Sequence, residues 1–296
     1  MTFSLACKRL SIVLGVGLLS ISFSYTLVGC SEPEPDELDW IQLFNGKDLQ
    51  DWDVKLSGRE LNDNFGNTFR VEDGLIKVAY DAYEEFSDDF GVLVYKEAFS
   101  YYVIAVEYRF TGEQLNGGPG WAIRNSGIMI HSQPAESMTD NQDFPISIEV
   151  QLLGGTGEGD RSTANLCTPG THVVMGDSLV TTHCIGSTSK TYHGDVWVRV
   201  EVEVLGDSLI THRIDGENVL AYQKPQIGGG VVDNYDPDFN EEGKLLASGY
   251  IGLQSESHPI EFRRVELLNL AGCTDPSARN FEAHYVHSVP GDCIYK

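Results

Sequence analysis

The stretch DVWVRVEVEVL, residues 195–205, alternates between two kinds of side chain. One face carries five valines and the other carries a tryptophan and three charged residues: Val196, Val198, Val200, Val202 and Val204 against Trp197, Arg199, Glu201 and Glu203. A period of two residues is the repeat of a β-strand, and an apolar face opposite a charged one is typical of a strand with one buried face. We therefore predict a half-buried antiparallel strand over residues 195–205.

Other segments extend this pattern to most of the chain. Residues 101–110, 146–153 and 260–270 alternate in the same way, and Asp73-Gly74 and Asp215-Gly216 each separate two short runs. Asp-Gly is typical of a two-residue hairpin turn. After residue 30, no segment shows a helical period over 11 residues. The sequence predicts an all-β jelly-roll sandwich of two antiparallel sheets.

Three long segments interrupt the alternation: residues 111–120, 154–190 and 228–243. Loops of this length in a compact domain are usually functional or held by cross-links. We expect them to border one concave sheet face on which an extended ligand can lie.

The N-terminus has the pattern of a lipoprotein signal. Lys8-Arg9 precede an apolar stretch, and Leu27-Val28-Gly29-Cys30 resembles a bacterial lipobox. We predict a signal peptide over residues 1–29, lipidation of Cys30 and an acidic tether over residues 30–38. The alternative is a transmembrane anchor, but several serines dilute the apolar stretch. Ser31 after the cysteine predicts a lipid-anchored protein of the bacterial envelope, at the outer membrane and facing the periplasm or the cell surface.

The charge balance restricts the class of ligand. Twenty Lys and Arg residues face 44 Asp and Glu residues, which gives a formal net charge of −24. Because nucleic-acid binding needs a basic surface, this balance argues against a nucleic-acid partner. A neutral polar ligand suits the charge better.

Four cysteines follow Cys30, and they allow three disulfide pairings. Pairing Cys167 with Cys184 and Cys273 with Cys293 closes two short loops and suits an oxidising compartment. The alternative is a Cys/His zinc site with His172 and His183, which no Cys-x-x-Cys spacing supports. We expect no required cofactor; the acidic residues 233–238 leave calcium or another divalent metal open, with the metal ligands unknown.

Several short motifs occur together in order. They are LFNGKDL at 43–49 before Trp52, NSGI at 125–128, IEVQL at 148–152, GDVW at 194–197, DGE at 215–217 and GYIGLQ at 249–254. Together they resemble the 3-keto-disaccharide hydrolase domain family over residues 39–270. The resemblance implies a concanavalin A-like jelly roll that cleaves glycosidic bonds of sugars oxidised at C3. Residues 271–296 resemble a small disulfide-closed module of bacterial envelope proteins.

The carboxylate pattern bears on the chemistry that the resemblance implies. Family 16 glycosidases of the same fold carry Glu-x-Asp-x-x-Glu on one strand, whereas this chain has Glu149, Gln151 and Gly154 at those places. A C3 ketone acidifies the C2 hydrogen, so elimination of the C1 oxygen followed by hydration needs one base, an enolate stabiliser and a proton donor.

We assign roles to match this elimination chemistry. Glu149 is the predicted general base, with His131 and Arg161 for proton transfer and oxyanion stabilisation. The predicted substrate-binding residues are Gln151, Asn125, Trp121, Arg124 and His172. The alternatives are a non-catalytic carbohydrate-binding lipoprotein of the same fold and an ordinary glycosidase with carboxylates from loops.

Overall fold

The structure, a computed structural model, describes residues 38–296. The predicted signal peptide, the lipidation site Cys30 and nearly all of the tether lie outside these residues. Nineteen β-strands, four short 3-10 helices and no α-helix occur in the described part. None of the helices in residues 38–296 has the length and hydropathy that crossing a membrane requires.

The strands range from two to eleven residues in length. In chain order the strands are β1 (Ile41–Gln42), β2 (Trp52–Leu56), β3 (Phe69–Glu72), β4 (Leu75–Val78), β5 (Gly91–Tyr95), β6 (Tyr101–Phe110), β7 (Asn125–Ser132), β8 (Ile148–Leu153), β9 (Asn165–Cys167), β10 (Thr171–Met175), β11 (Ser178–Val180), β12 (Cys184–Ile185), β13 (Val198–Leu205), β14 (Leu209–Ile214), β15 (Glu217–Ile227), β16 (Tyr250–Ser255), β17 (Ile260–Asn269), β18 (Ala271–Gly272) and β19 (His287–Ser288). The 3-10 helices are Phe65–Asn67, Gly120–Ala122, Ala135–Ser137 and Pro237–Phe239.

Two antiparallel sheets form a sandwich, which confirms the predicted all-β jelly-roll fold. The ten-stranded sheet has the order β11-β10-β15-β14-β13-β6-β17-β4-β3, with β1 paired to β17. The seven-stranded sheet has the order β12-β9-β8-β7-β16-β5-β2. Alternate residues of both sheets meet in one large apolar core, to which β13 contributes Val200 and β8 contributes Val150.

The strand predicted over residues 195–205 is shorter than predicted. β13 begins at Val198, and its four valines are buried in the core. Val196 instead lies outside the strand and is 44% exposed. Trp197 packs between the guanidinium groups of Arg109 and Arg263, 4.7 and 4.4 Å from its ring centroid. The alternation is therefore right from Val198 onward, and residues 195–197 precede the strand.

Both predicted hairpin turns are confirmed. β3 and β4 are joined by Asp73 (φ 54°) and Gly74 (φ 74°), and β14 and β15 by Asp215 (φ 52°) and Gly216 (φ 81°). Positive φ at both central residues is the requirement of a type I′ turn, which matches the twist of the flanking strands.

The segment 154–190, predicted as a long loop, contains the four short strands β9 to β12. Strands of two to five residues are too short to show a readable period, which explains the difference. Residues 228–243 form no strand, as predicted.

The predicted disulfide pairing is confirmed, with Cys167 bonded to Cys184 and Cys273 bonded to Cys293. His183 lies with the first pair in a cluster whose potential ligand atoms are within 4.8 Å of one another, but the two sulfurs are already bonded to each other. His172 is outside that cluster. The second disulfide closes the C-terminal tail, in which β18 and β19 pair in parallel.

The register of β13 predicts a graded response to truncation. We expect Val202→Ala to lower the free energy of unfolding by about 1.5–3 kcal/mol, because Val202 is fully buried between the sheets. Val196→Ala, at an exposed position of the same valine series, is expected to change it by less than about 0.5 kcal/mol. Denaturant unfolding measures both; equal losses would contradict the strand boundary at Val198.

Candidate active site

The side chains of β8 point alternately to the core and away from it. Val150 is fully buried in the main core, whereas Glu149 and Gln151 lie on the opposite face of the sheet. On the neighbouring strand β7, Met129 pairs with Glu149 and Gly127 pairs with Gln151. The predicted placement of Glu149 and Gln151 on one face, away from the core, follows from this alternation.

Gly127 makes room for Glu149. A Cβ atom added to Gly127 would lie 2.6 Å from Glu149 Cγ and 2.9 Å from its Oε1. Such a contact is far inside van der Waals range, so any larger residue at 127 would push the carboxyl group aside. The glycine in the NSGI motif is therefore explained by the side chain across the strand pair.

A cavity of about 410 Å³ lies on this face of the seven-stranded sheet. Its walls combine carboxyl and amide groups with aromatic, apolar and disulfide surface: Trp121, Asn125, Phe144, Glu149, Gln151, Cys167, Pro169, His183, Cys184, Val231 and Glu256. A mostly apolar hollow with a few convergent polar groups is the usual form of a small-molecule site.

Two carboxyl groups share this cavity. Glu149 is 6% exposed and Glu256 is 3% exposed. Burial raises the pKa of Glu149 to about 8. Burial also raises the pKa of Glu256 well above its usual value, the charge on Glu149 adds to this, and the positive charge of Arg161 opposes it. Two like charges in one water-poor site repel, so the pair holds no more than one negative charge near neutral pH.

Several buried polar atoms at this site have no hydrogen-bond partner among residues 38–296. They include Asn125 Oδ1 and Glu256 Oε2. Buried polar atoms are nearly always paired, so unpaired ones in a cavity are available to a polar ligand or to water. Gln151 differs, because its Oε1 accepts a hydrogen bond of 3.1 Å from Asn165 Nδ2. That bond leaves the amino group of Gln151 free to donate.

Strained backbone flanks two of the cavity residues. Arg124 (φ 48°) precedes Asn125, and Ser257 (φ 76°) follows Glu256. Residues other than glycine adopt this left-handed region at a cost of about 1–3 kcal/mol, and they cluster at functional sites. Both turns aim a neighbouring side chain at the cavity.

Arg161 does not line the cavity but connects the segments that form it. Its Nη1 donates to the carbonyl oxygens of Gly154 at 2.6 Å and Arg124 at 3.2 Å, and its Nη2 to that of Trp121 at 3.5 Å. Arg161, the predicted oxyanion stabiliser, therefore donates hydrogen bonds to main-chain carbonyl oxygens and contributes positive charge near Glu256.

Three other predicted residues lie outside the cavity lining. His131 is 1% exposed and donates from Nε2 to the Gly206 carbonyl at 3.1 Å. Burial lowers the pKa of His131 to about 4, so the ring is neutral. Arg124 pairs with Asp195 at 3.5 Å, and a Cβ atom added to Gly229 would lie 2.6 Å from the ring of His172.

The cavity thus brings together Glu149, Gln151, Asn125 and Trp121. The cavity also contains Glu256, which was not predicted from the sequence, and His183, which was considered only as a zinc ligand. A signal for Glu256 exists: Gly252, Gln254 and Glu256 share one face of β16 and its extension, opposite the buried Ile251 and Leu253. The calcium expectation at residues 233–238 stays a prediction.

Several solved structures resemble the described part of this chain at low identity. A candidate glycosyl hydrolase from Parabacteroides distasonis is 15% identical, with 78% of this chain and 100% of that chain covered and a TM-score of 0.47. A Bacillus subtilis protein with a galectin-like fold is 13% identical (78% and 95% covered, TM-score 0.46). A Bacillus licheniformis β-glucanase is 10% identical (78% and 98% covered, TM-score 0.43). Likenesses this distant support no functional conclusion.

A comparison with curated protein sequences finds no significant match. A family model, described as the 3-keto-alpha-glucoside-1,2-lyase-like domain, matches residues 39–268. This range agrees with the resemblance found in the motifs from residue 43 to residue 254, and it includes every residue that lines the cavity. The chain belongs to the family of 3-keto-alpha-glucoside-1,2-lyase-like domains.

Proposed function

We propose that this protein cleaves the glycosidic bond of glycosides oxidised at C3, by elimination and hydration, with Glu149 as the general base. Family membership supports a carbohydrate-acting function. The observation that carries the finer proposal is the burial of Glu149 and Glu256 in one cavity. Their environments allow one group to accept a proton while the other holds one, which is the division of labour that elimination needs.

The steps follow from these two protonation states. The Glu149 carboxylate removes the C2 hydrogen, and the electron pair passes into the enolate of the C3 ketone. The enolate then expels the C1 oxygen, which takes a proton from Glu256 and leaves as an alcohol. Water adds at C1 of the resulting enone and C2 regains a proton, so the net reaction is hydrolysis. Glu256 is the donor because burial, together with the charge on Glu149, raises its pKa well above the usual value of a glutamate.

The remaining cavity residues suit a sugar ring. The amino group of Gln151 and the unpaired Oδ1 of Asn125 offer one donor and one acceptor to hydroxyl groups. Trp121 is 54% exposed beside them and offers its ring face for stacking on a pyranose. Arg161 acts as a positioning residue that fixes the segments bearing Trp121 and Asn125.

Glu256 also favours a second candidate function. Direct glycoside hydrolysis uses two carboxyl groups in one cavity and does not require a C3 ketone. The two functions differ in substrate, because direct hydrolysis acts on unoxidised glycosides whereas elimination requires the ketone.

We expect Glu149→Gln to lower the turnover of a 3-keto-glucoside by about 10²–10⁴-fold, because general-base catalysis contributes that much. Release of the aglycone measures it, with the unoxidised glucoside assayed in parallel. Glu217→Gln, at an exposed hairpin position, is the matched control and keeps wild-type turnover. Unchanged turnover of the Glu149 variant removes that residue from the mechanism, and cleavage of the unoxidised glucoside alone favours direct hydrolysis.

The pH profile follows from the raised pKa of Glu149. The base must be ionised, so kcat/KM is expected to rise about tenfold per pH unit below pH about 8 and then to level off. Initial rates over the range in which the protein stays folded, at subsaturating substrate, give the profile. A plateau that begins near the usual pKa of a glutamate would show that the base is not a buried carboxyl.

Burial of Glu149 also makes a prediction that needs no substrate. Between pH 4.5 and about 8 the folded protein keeps a proton that the unfolded chain releases, so this group makes stability fall as the pH rises through that window. Glu149→Gln removes the effect. We expect the variant to melt at a higher temperature than the wild type at the upper end of the window and the gap to close at the lower end. A constant gap across the window would contradict the raised pKa.

A further inference from the structure

The disulfide Cys167–Cys184 lies in one row with the proposed base. Glu149 on β8 pairs directly with Cys167 on β9, and Cys167 pairs directly with Cys184 on β12. Residues paired across neighbouring strands share a face of the sheet, with Cβ atoms about 4.5–5.5 Å apart. The disulfide is therefore the immediate neighbour of Glu149, and both of its cysteines line the cavity.

β12 depends on this bond more than an ordinary strand would. It has two residues, is the edge of its sheet, and pairs only through Cys184–Cys167 and Ile185–Leu166. Just before it, His183 reaches the cavity, and its carbonyl accepts hydrogen bonds of 2.9 Å from Thr168 N and 3.2 Å from Thr168 Oγ1. Two ladder pairs alone give a marginal strand, so the covalent bond adds a strong link to the hydrogen bonds that hold this edge.

We propose that the Cys167–Cys184 disulfide is a positioning element of the active site, which holds His183 and the β12 edge beside Glu149 and keeps water from that wall of the cavity. Reduction by a dithiol then switches the site off while the sandwich stays folded. Two electrons break the S–S bond, both sulfurs become thiols, and the dithiol is oxidised to its own disulfide. Cys184 is exposed, which gives an attacking thiolate access to this bond.

The wall of the cavity that the Cys167–Cys184 disulfide forms then affects the charge state of Glu149. The ionisable groups that line the cavity with Glu149 are Glu256 and His183, and the guanidinium of Arg161 adds positive charge near Glu256. Burial is the cause of the raised pKa of Glu149, so water admitted beside its carboxyl lowers that pKa toward its ordinary value. A merely structural cross-link would leave the pKa unchanged.

The chain contains its own control. Cys273–Cys293 spans 20 residues and Cys167–Cys184 spans 17, so the two bonds close loops of similar length. The control bond lies in the tail and lines no part of the cavity. Loss of either bond removes a comparable loop constraint from the unfolded chain, whereas only the first is expected to affect the site.

The test compares Cys167→Ser/Cys184→Ser with Cys273→Ser/Cys293→Ser. In the first variant we expect the high-pH plateau of kcat/KM for the 3-keto-glucoside to fall by about tenfold or more, and the midpoint of its pH profile to move down by about one unit. The second variant is expected to keep both values. A folded first variant with an unchanged midpoint and unchanged kcat/KM overturns the proposal.

A second measurement decides the matter if the first variant does not fold. The Cys273→Ser/Cys293→Ser protein, which keeps only the cavity disulfide, is treated with dithiothreitol and followed by far-ultraviolet circular dichroism. Loss of activity with an unchanged β-sheet spectrum supports the proposal. Unchanged activity after complete reduction overturns it, and so does unfolding.

The activity readout rests on the proposed function, but the stability readout does not. The pH-dependent gap in melting temperature between each protein and its Glu149→Gln counterpart reports the pKa of Glu149 without substrate. If no glycoside is cleaved but the gap shrinks only when the cavity disulfide is lost, the proposed function fails and the positioning role stands. If the gap is the same in every disulfide variant, the positioning role fails.

Discussion

The alternation of side chains along β8 is the constraint on which both the core and the site depend. Val150 and its even-numbered neighbours pack against the ten-stranded sheet, and this fixes the strand's orientation. Glu149 and Gln151 must then face away from the core. A shift of one residue would bury the carboxyl between the sheets and expose the apolar residues, so the packing energy of the sandwich also holds the proposed base in place.

The surroundings of Glu149 give that position its chemistry. Gly127 leaves space for the side chain, the cavity disulfide and aromatic residues exclude water on several sides, and Glu256 brings a second carboxyl into the same volume. The two buried carboxyl groups cost stability, because burying ionisable groups is unfavourable, and the left-handed backbone at Arg124 and Ser257 adds to that cost. The large core between the sheets offsets that cost. The site is thus a destabilised region carried by a stable scaffold.

The sequence predicted the parts of this molecule that depend on local pattern. Long alternating runs predicted the central strands, and Asp215-Gly216 predicted a hairpin turn. The position of Glu149 in the alternation of β8 predicted the face of the sheet on which it lies. The sequence could not show which distant segment lies next to β8. Glu256 was therefore missed, although the alternation of residues along β16 and its extension indicates which face Glu256 is on. Nor could it show that Arg161 donates to main-chain carbonyls, or that His131 sits at φ 48° in the end of β7 away from the cavity. Side-chain roles at this site are set by contacts between segments far apart in sequence.

The central claim is that Glu149 holds its proton far above the pH at which an ordinary glutamate loses it. The most direct test is a titration of the side-chain carboxyl carbons by ¹³C NMR in selectively labelled protein, with the Glu149→Gln variant to assign the signal. We predict that the Glu149 signal titrates with an apparent midpoint near pH 8. A midpoint near the ordinary value of about 4.3 would contradict it.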